Sequence, residues 1–232
     1  MVAFRDVPII SADSTRAGVV FLPGTKVEAE NVAKSLRAAQ YDVKVETDME
    51  ATEDSFKELS GSGLKILHIG THGFYEPSKV ADDNGMTKED QTLSQSGLLL
   101  AGANSALDPK KRADIPEGVD DGILTAKEIS RLDFKGLDLV VLSACQTGLG
   151  EVTSEGVFGL QRGFKKAGAQ TIVMSLWSVD DNATKDLMTE FYKNLVSGKS
   201  KREAFISAQK FLRNKYHDPR KWAAFVMVDG ID

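Results

Sequence analysis

Two short segments carry residue types able to make and break covalent bonds. The apolar run Leu64-Lys65-Ile66-Leu67-His68-Ile69-Gly70 delivers Thr71-His72-Gly73, and Leu139-Val140-Val141-Leu142-Ser143-Ala144 delivers Cys145, the single cysteine of the chain. A free thiol, with a pKa of about 8.5, is mostly protonated at neutral pH, so it becomes a nucleophile only beside a base or a cation. An imidazole on a neighbouring strand end supplies that base and can then protonate a leaving amine. Gly73 allows a substrate to approach the backbone closely, and its N–H, with that of Cys145, is suited to hold an oxyanion. Neither residue is decisive alone, because a lone buried cysteine is more often a small core residue. His68, inside the apolar strand, suits a satisfied core group, and His217, near the last loop, a solvated one.

The flanking pattern predicts the elements that would bring this pair together. Ala17–Leu22, Tyr41–Val45, Leu64–Ile69, Ser96–Ala101, Leu137–Leu142, Thr171–Leu176 and Trp222–Val228 read as strands. Short apolar runs without alternation suit strands buried on both faces. Helices are predicted behind three Ser/Thr-x-x-Glu capping signatures, Thr25/Glu28, Thr125/Glu128 and Ser200/Glu203, and over the apolar spacing of Leu187, Met188, Phe191, Tyr192 and Leu195. A further helix is expected to carry Val157, Leu160, Phe164 and Ala167. Strands alternating with helices predict βαβ units and a mostly parallel sheet, in which functional residues gather at the strands' carboxyl ends. Residues 1–16 read as a polar leader or linker before one domain over 17–232, and residues 75–96 and 103–122 as long polar loops beside the site, fit to act as lids or activation segments.

Composition narrows the class. The net charge is −5 and no basic block occurs, which argues against nucleic acid or an anionic membrane as a direct partner. No apolar run approaches the roughly 18 residues of a membrane span, and Met1–Asp6 lacks the pattern of a signal peptide. One cysteine excludes an internal disulfide and suits a reducing, cytoplasmic setting. No metal-ligand spacing, P-loop, Gly-x-Gly-x-x-Gly or Gly-x-Ser-x-Gly motif is present, so no metal or organic cofactor is expected.

Several stretches together resemble the CHAT family of caspase-like cysteine peptidases, relatives of caspases, separases and gingipains. They are Leu67–Phe74, Leu139–Gly150, Glu155–Leu160, Ser175–Asp181, Phe191-Tyr192 and Trp222–Phe225, in order along nearly the whole chain. The resemblance implies a caspase-like three-layer α/β sandwich, with a mostly parallel six-stranded sheet between helices. It further implies a Cys145–His72 dyad that hydrolyses peptide bonds of a protein substrate through an acyl-enzyme. In separases a similar Leu-Trp-x-Val-x-Asp segment forms the pocket for the residue before the cut bond. On that likeness Trp177, Asp180 and Asp181 are candidate substrate-binding residues, and a carboxylate there favours Arg or Lys. Asp180 and Asp181 also open a helix, where acidic residues serve as caps. The segment 150–156 looks lengthened against the family pattern. Family members usually carry a repeat or sensor region, which implies a regulatory partner or region of that kind. The competing expectation is a catalytically idle scaffold that binds a partner protein; retention of both dyad residues argues against it.

Overall fold

The computed structural model describes residues 2–4, 23–75, 87–115, 120–143, 150–153, 156–177 and 180–229. The chain opens with β1 (Val2–Phe4), α1 (Pro23–Ala38), β2 (Val45–Glu46) and α2 (Glu53–Lys57), then β3 (Ile66–Gly70) and β4 (His72–Tyr75). It continues through α3 (Lys88–Ser94), β5 (Ser96–Leu99), α4 (Ala103–Leu107), α5 (Pro109–Arg112), β6 (Ile123–Thr125) and α6 (Ala126–Ile129). The second half comprises β7 (Leu139–Leu142), the hairpin of β8 (Gly150–Thr153) and β9 (Gly156–Gly159), α7 (Leu160–Ala167) and β10 (Thr171–Ser175). It ends with α8 (Asp181–Val196), α9 (Lys201–Tyr216), α10 (Pro219–Trp222) and β11 (Phe225–Val228).

Six strands form the central sheet in the order β11-β10-β7-β3-β1-β2, parallel throughout except for β11, which pairs antiparallel with β10. Successive side chains of a strand point to opposite faces, and both faces here are covered. Ile66, Leu139, Val141 and Val173 pack with α1, α8 and α9 on one side. Leu67, Val140, Leu142 and Ile172 pack on the other with Phe56 of α2, Ile129 of α6 and Phe164 of α7. Burial on both faces is why β3 and β7 read as unbroken apolar runs. The result is the expected three-layer α/β sandwich with a mostly parallel sheet. A second, three-stranded antiparallel sheet, β4-β5-β6, stands beside it.

Several local expectations change. Val2–Phe4, within the expected leader, supplies a strand between β3 and β2, while residues 17–22, expected as the first strand, lie outside the described residues. Of the expected loop at 75–96, residues 76–86 lie outside the description, and the rest includes α3, capped by the Thr87 hydroxyl. The stretch 103–122 carries α4 and α5, the latter capped by Asp108, with 116–119 outside the described residues. Val157, expected on a helix, lies in β9, and α7 begins only at Leu160. Among the described residues no helix is long and apolar enough to cross a membrane.

Candidate active site

The site is assembled where β3 and β7 end side by side. The two strands are register partners from Ile66↔Leu139 to Ile69↔Leu142, and the Ser143 N–H donates to the Ile69 carbonyl at 2.8 Å, carrying the pairing one residue past β7. On the β3 side the chain leaves the sheet at Thr71, whose hydroxyl donates to the Leu99 carbonyl at 2.6 Å. That bond turns the backbone into β4, so His72 opens the small sheet opposite Leu99, 6% exposed. Gly73 follows it, paired with Leu98. Cys145 falls in 144–149, outside the described residues.

The acidic candidates separate. Asp180 is the N-cap of α8, its carboxylate accepting from the Ala183 N–H at 3.1 Å, with Lys221 Nζ 4.0 Å away. Asp181, the first helical residue, does not serve that cap and leans against the start of α1: a methyl added at Gly24 would lie 3.0 Å from its Cβ. Burial, then the negative charges of Asp180 and Glu28, push the Asp181 carboxyl above its ordinary range, while the His72 charge opposes them. Asp181 and His72 are therefore electrostatic neighbours, and α1, β4 and α8 converge on one edge of the sheet. Trp177 is 37% exposed, with its indole N–H donated to the Arg220 carbonyl at 3.0 Å. Among the described residues no group of three or more His, Cys, Asp or Glu side chains is arranged to hold a metal ion.

Beneath this edge lies a network that the sequence pattern did not reveal. His68 is fully buried, with Nε2 2.8 Å from Glu28 Oε1 and Nδ1 3.0 Å from the Tyr192 hydroxyl. It ties β3 to α1 and α8, two helices whose first turns border the site. Glu28 had the spacing of a capping-box partner for Thr25, but α1 starts earlier, at Pro23, and its carboxylate turns inward to His68. A polar side chain inside an apolar strand was the available signal, since a buried imidazole requires partners.

The CHAT domain model matches residues 4–229, nearly the whole chain. Tetratricopeptide repeat protein 28 of Homo sapiens is 32% identical over 127 residues, 54% of this chain, and the Mus musculus protein 34% over 109 residues, 46% of it. The matches span only 5% and 4% of those two proteins. Among solved structures, gingipain R, an arginine-specific cysteine proteinase that another structure assigns to Porphyromonas gingivalis, aligns over 99% of this chain and 46% of its own, with a TM-score of 0.58 at 10% identity. Separase of Saccharomyces cerevisiae, in complex with securin, aligns over 99% of this chain and 12% of its own, with a TM-score of 0.52 at 11% identity. At such identities the likeness is one of fold: these neighbours share the caspase-like architecture. With the family model spanning the sheet, both strand ends of the site and the helices that flank them, this chain belongs to the CHAT domain family.

Proposed function

We propose that the protein is a cysteine endopeptidase acting through Cys145 and His72. The observation that carries this reading is the side-by-side ending of β3 and β7: His72 stands two residues beyond the one, and the chain leading to Cys145 leaves the other hydrogen-bonded to Ile69. His72 takes the thiol proton, and the thiolate attacks the carbonyl carbon of the scissile peptide. The oxyanion so formed is held by the Gly73 and Cys145 N–H groups. The C–N bond then breaks, the amine leaves with the proton from the imidazolium, and a thioester remains on Cys145. Water, deprotonated by His72, hydrolyses the thioester and restores the thiol. This chemistry suits a reducing compartment.

Asp181 is the residue we assign to the pocket for the side chain before the cut bond, with Trp177 as its wall. Asp180 is committed to capping α8, which leaves Asp181 the carboxylate for a basic substrate residue. The arginine specificity of gingipain R, a neighbour in fold, supports that choice. Because the Asp181 carboxyl is pushed upward, preference for Arg and Lys should strengthen as pH rises and that group ionises. The curated relatives are tetratricopeptide repeat proteins, and separase occurs with securin; a repeat or regulatory partner for this chain is in keeping with both.

The test combines a peptide-based thiol-reactive probe with fluorogenic peptides varied before the cleaved bond. Cys145→Ala and His72→Ala should each lower turnover by about a thousandfold or more with the fold intact, and Cys145→Ala should abolish probe labelling. Asp181→Asn should lower kcat/KM for Arg and Lys substrates by roughly tenfold to a hundredfold and leave apolar ones unchanged. Normal cleavage by folded Cys145→Ala protein would end the peptidase reading. Unchanged selectivity in Asp181→Asn would remove the pocket role alone.

A further inference from the structure

At the opposite, amino-terminal edge of the central sheet there is a cavity of about 400 Å³. Ile66 and Leu139, the register partners that begin β3 and β7, line it with Leu195 from the end of α8 and Tyr41, which is 46% exposed. The polar lining comprises Lys65, Lys201, Asp138 and Gln170. Lys201, the first residue of α9, forms an ion pair with Asp138 and also reaches the Asp138 carbonyl at 3.3 Å. Lys65 Nζ reaches the Gly136 carbonyl at 3.4 Å, the outer limit of a hydrogen bond, and has no carboxylate partner among the described residues. Just behind the lining, Lys165 donates to the carbonyl of Gln170, itself a lining residue. Burial pushes the Lys165 ammonium below its ordinary range; the Asp229 charge opposes that shift and the Lys201 charge adds to it.

Lys65 and Lys201 thus both line the cavity, and of the two only Lys201 is paired with Asp138, on a chain whose net charge is −5. Like charges held together in a concave, partly dry space repel, and a bound anion relieves that repulsion more effectively there than on an open surface. The apolar lining and the exposed face of Tyr41 make room for more than a bare ion. We propose that this cavity is a binding site for a small organic anion, with a phosphate or carboxylate group between Lys65 and Lys201 and an apolar or aromatic body against Tyr41 and Leu195. The N–H groups of Asp138 and Leu139 both donate to the Lys65 carbonyl, at 2.9 and 3.1 Å. The ligand therefore sits on the hydrogen bonds that begin the β3–β7 pairing, a strand's length from His72, and its binding does not depend on peptidase activity.

Titration calorimetry of the intact chain at low salt tests this, with adenosine monophosphate, citrate and inorganic phosphate as separate probes. Adenosine monophosphate or citrate should bind with a Kd below about 1 mM and raise Tm. Lys65→Ala, which gives up only the Gly136 carbonyl contact, should weaken binding roughly tenfold, the loss of one charge-assisted contact. Lys201→Ala should do the same, with folding checked by circular dichroism. Inorganic phosphate should bind more weakly than the organic anions. Absence of heat and of a Tm shift with all three probes would overturn the site, as would equal binding by wild type and Lys65→Ala. Equal affinity for inorganic phosphate and adenosine monophosphate would overturn the apolar half of the assignment.

Discussion

Glu28 on α1 and Glu53 on α2 are equally shielded from water, each 2% exposed, and they lie on opposite faces of the central sheet. Glu28 belongs to a closed chain of complementary groups. Burial pushes the Tyr192 phenol well above its ordinary range, so it keeps its proton. Donated to His68 Nδ1, that proton leaves Nε2–H for Glu28, a tautomer that satisfies all three side chains. Glu53 has a more divided environment. One oxygen accepts the Gly122 N–H at 3.0 Å and the other lies 2.8 Å from Lys57 Nζ. Lys57 also serves Asp120 at 2.7 Å and Glu128 at 3.3 Å. Burial, with the charges of Glu128 and Asp120, pushes Glu53 up to about 7, against the pull of Lys57. A buried carboxylate with an undivided partner is a fixed pin between elements. One that shares its cation among several acids titrates near neutrality.

The largest effect is expected where the pin is removed. Glu28→Ala leaves a His68 nitrogen buried without its acceptor, and such an orphan costs about 3 kcal/mol. Glu28→Gln keeps an acceptor and should cost less than half of that. Urea unfolding at an unchanged m-value measures both. A loss below about 1 kcal/mol in Glu28→Ala would show that the network adds little and that Glu28 is no pin between elements.

An intermediate effect is expected on the Glu53 side from Gly122→Ala. Gly122 has φ +82°, and an added Cβ would fall 2.4 Å from the Ala103 nitrogen and 2.5 Å from the Ala101 carbonyl oxygen. Its carbonyl accepts from the Leu100 N–H at 2.6 Å, joining the approaches to β5 and β6. The substitution should cost about 2 kcal/mol and speed amide exchange at Leu100 and Ile123, and because the Gly122 N–H also donates to Glu53, the penalty should persist in a Glu53→Gln background. A penalty that vanished in that background would mean the clasp is held by charge rather than by backbone fit.

The architecture was legible wherever one physical demand dominated. Strands β3, β7 and β10 had to be apolar on both faces, so their runs were continuous, and they occur where expected. The capping boxes at Thr125/Glu128 and Ser200/Glu203 formed as expected, and at Glu128 one oxygen serves the cap while Lys57 takes the other. The same signature at Thr25/Glu28 misled because a buried histidine forty positions away was a stronger partner for Glu28. The small sheet was hidden as well: β4 is four residues long and follows β3 after the single residue Thr71, so no compositional break announced it. At the site, sequence supplied His72, Asp180 and Asp181. Only the folded chain separates the last two, since the cap at Asp180 depends on where α8 begins. Neither Gly24 nor Glu28 carried a sequence signal of proximity to Asp181, because that contact joins helices far apart in the chain.

The smallest effect concerns the titration of Glu53. Its carboxyl is raised in the folded state from 4.5 to about 7, so between those values the folded chain holds a proton that the unfolded chain has released. That contribution favours folding on the acid side and is lost as pH rises through about 7. The charges facing Glu53 are Lys57 on α2, Asp120 before β6 and Glu128 on α6, with Asp54 of α2 bonded to Asp120 behind them. Burial alone would raise Asp120 and Glu128. Hydrogen bonds from Lys57 and Asp54 hold Asp120 low, and bonds from Thr125 together with the Lys57 charge hold Glu128 low. Those two acids therefore contribute the opposite slope, present at neutral pH and lost in acid, and a wild-type profile alone would mix the two. The difference between wild type and Glu53→Gln isolates the Glu53 part, because glutamine resembles the protonated acid at every pH. Wild type should lose about 1 kcal/mol relative to Glu53→Gln between about pH 5.5 and 8.5, short of the roughly 2 kcal/mol that an uncoupled shift would give over that window, since its neighbours readjust as it ionises. Unfolding free energies of both proteins at the two pH values measure it. Parallel profiles would mean that Glu53 stays ionised throughout, as firmly paired with Lys57 as Glu28 is with His68, and the contrast between the two glutamates would collapse.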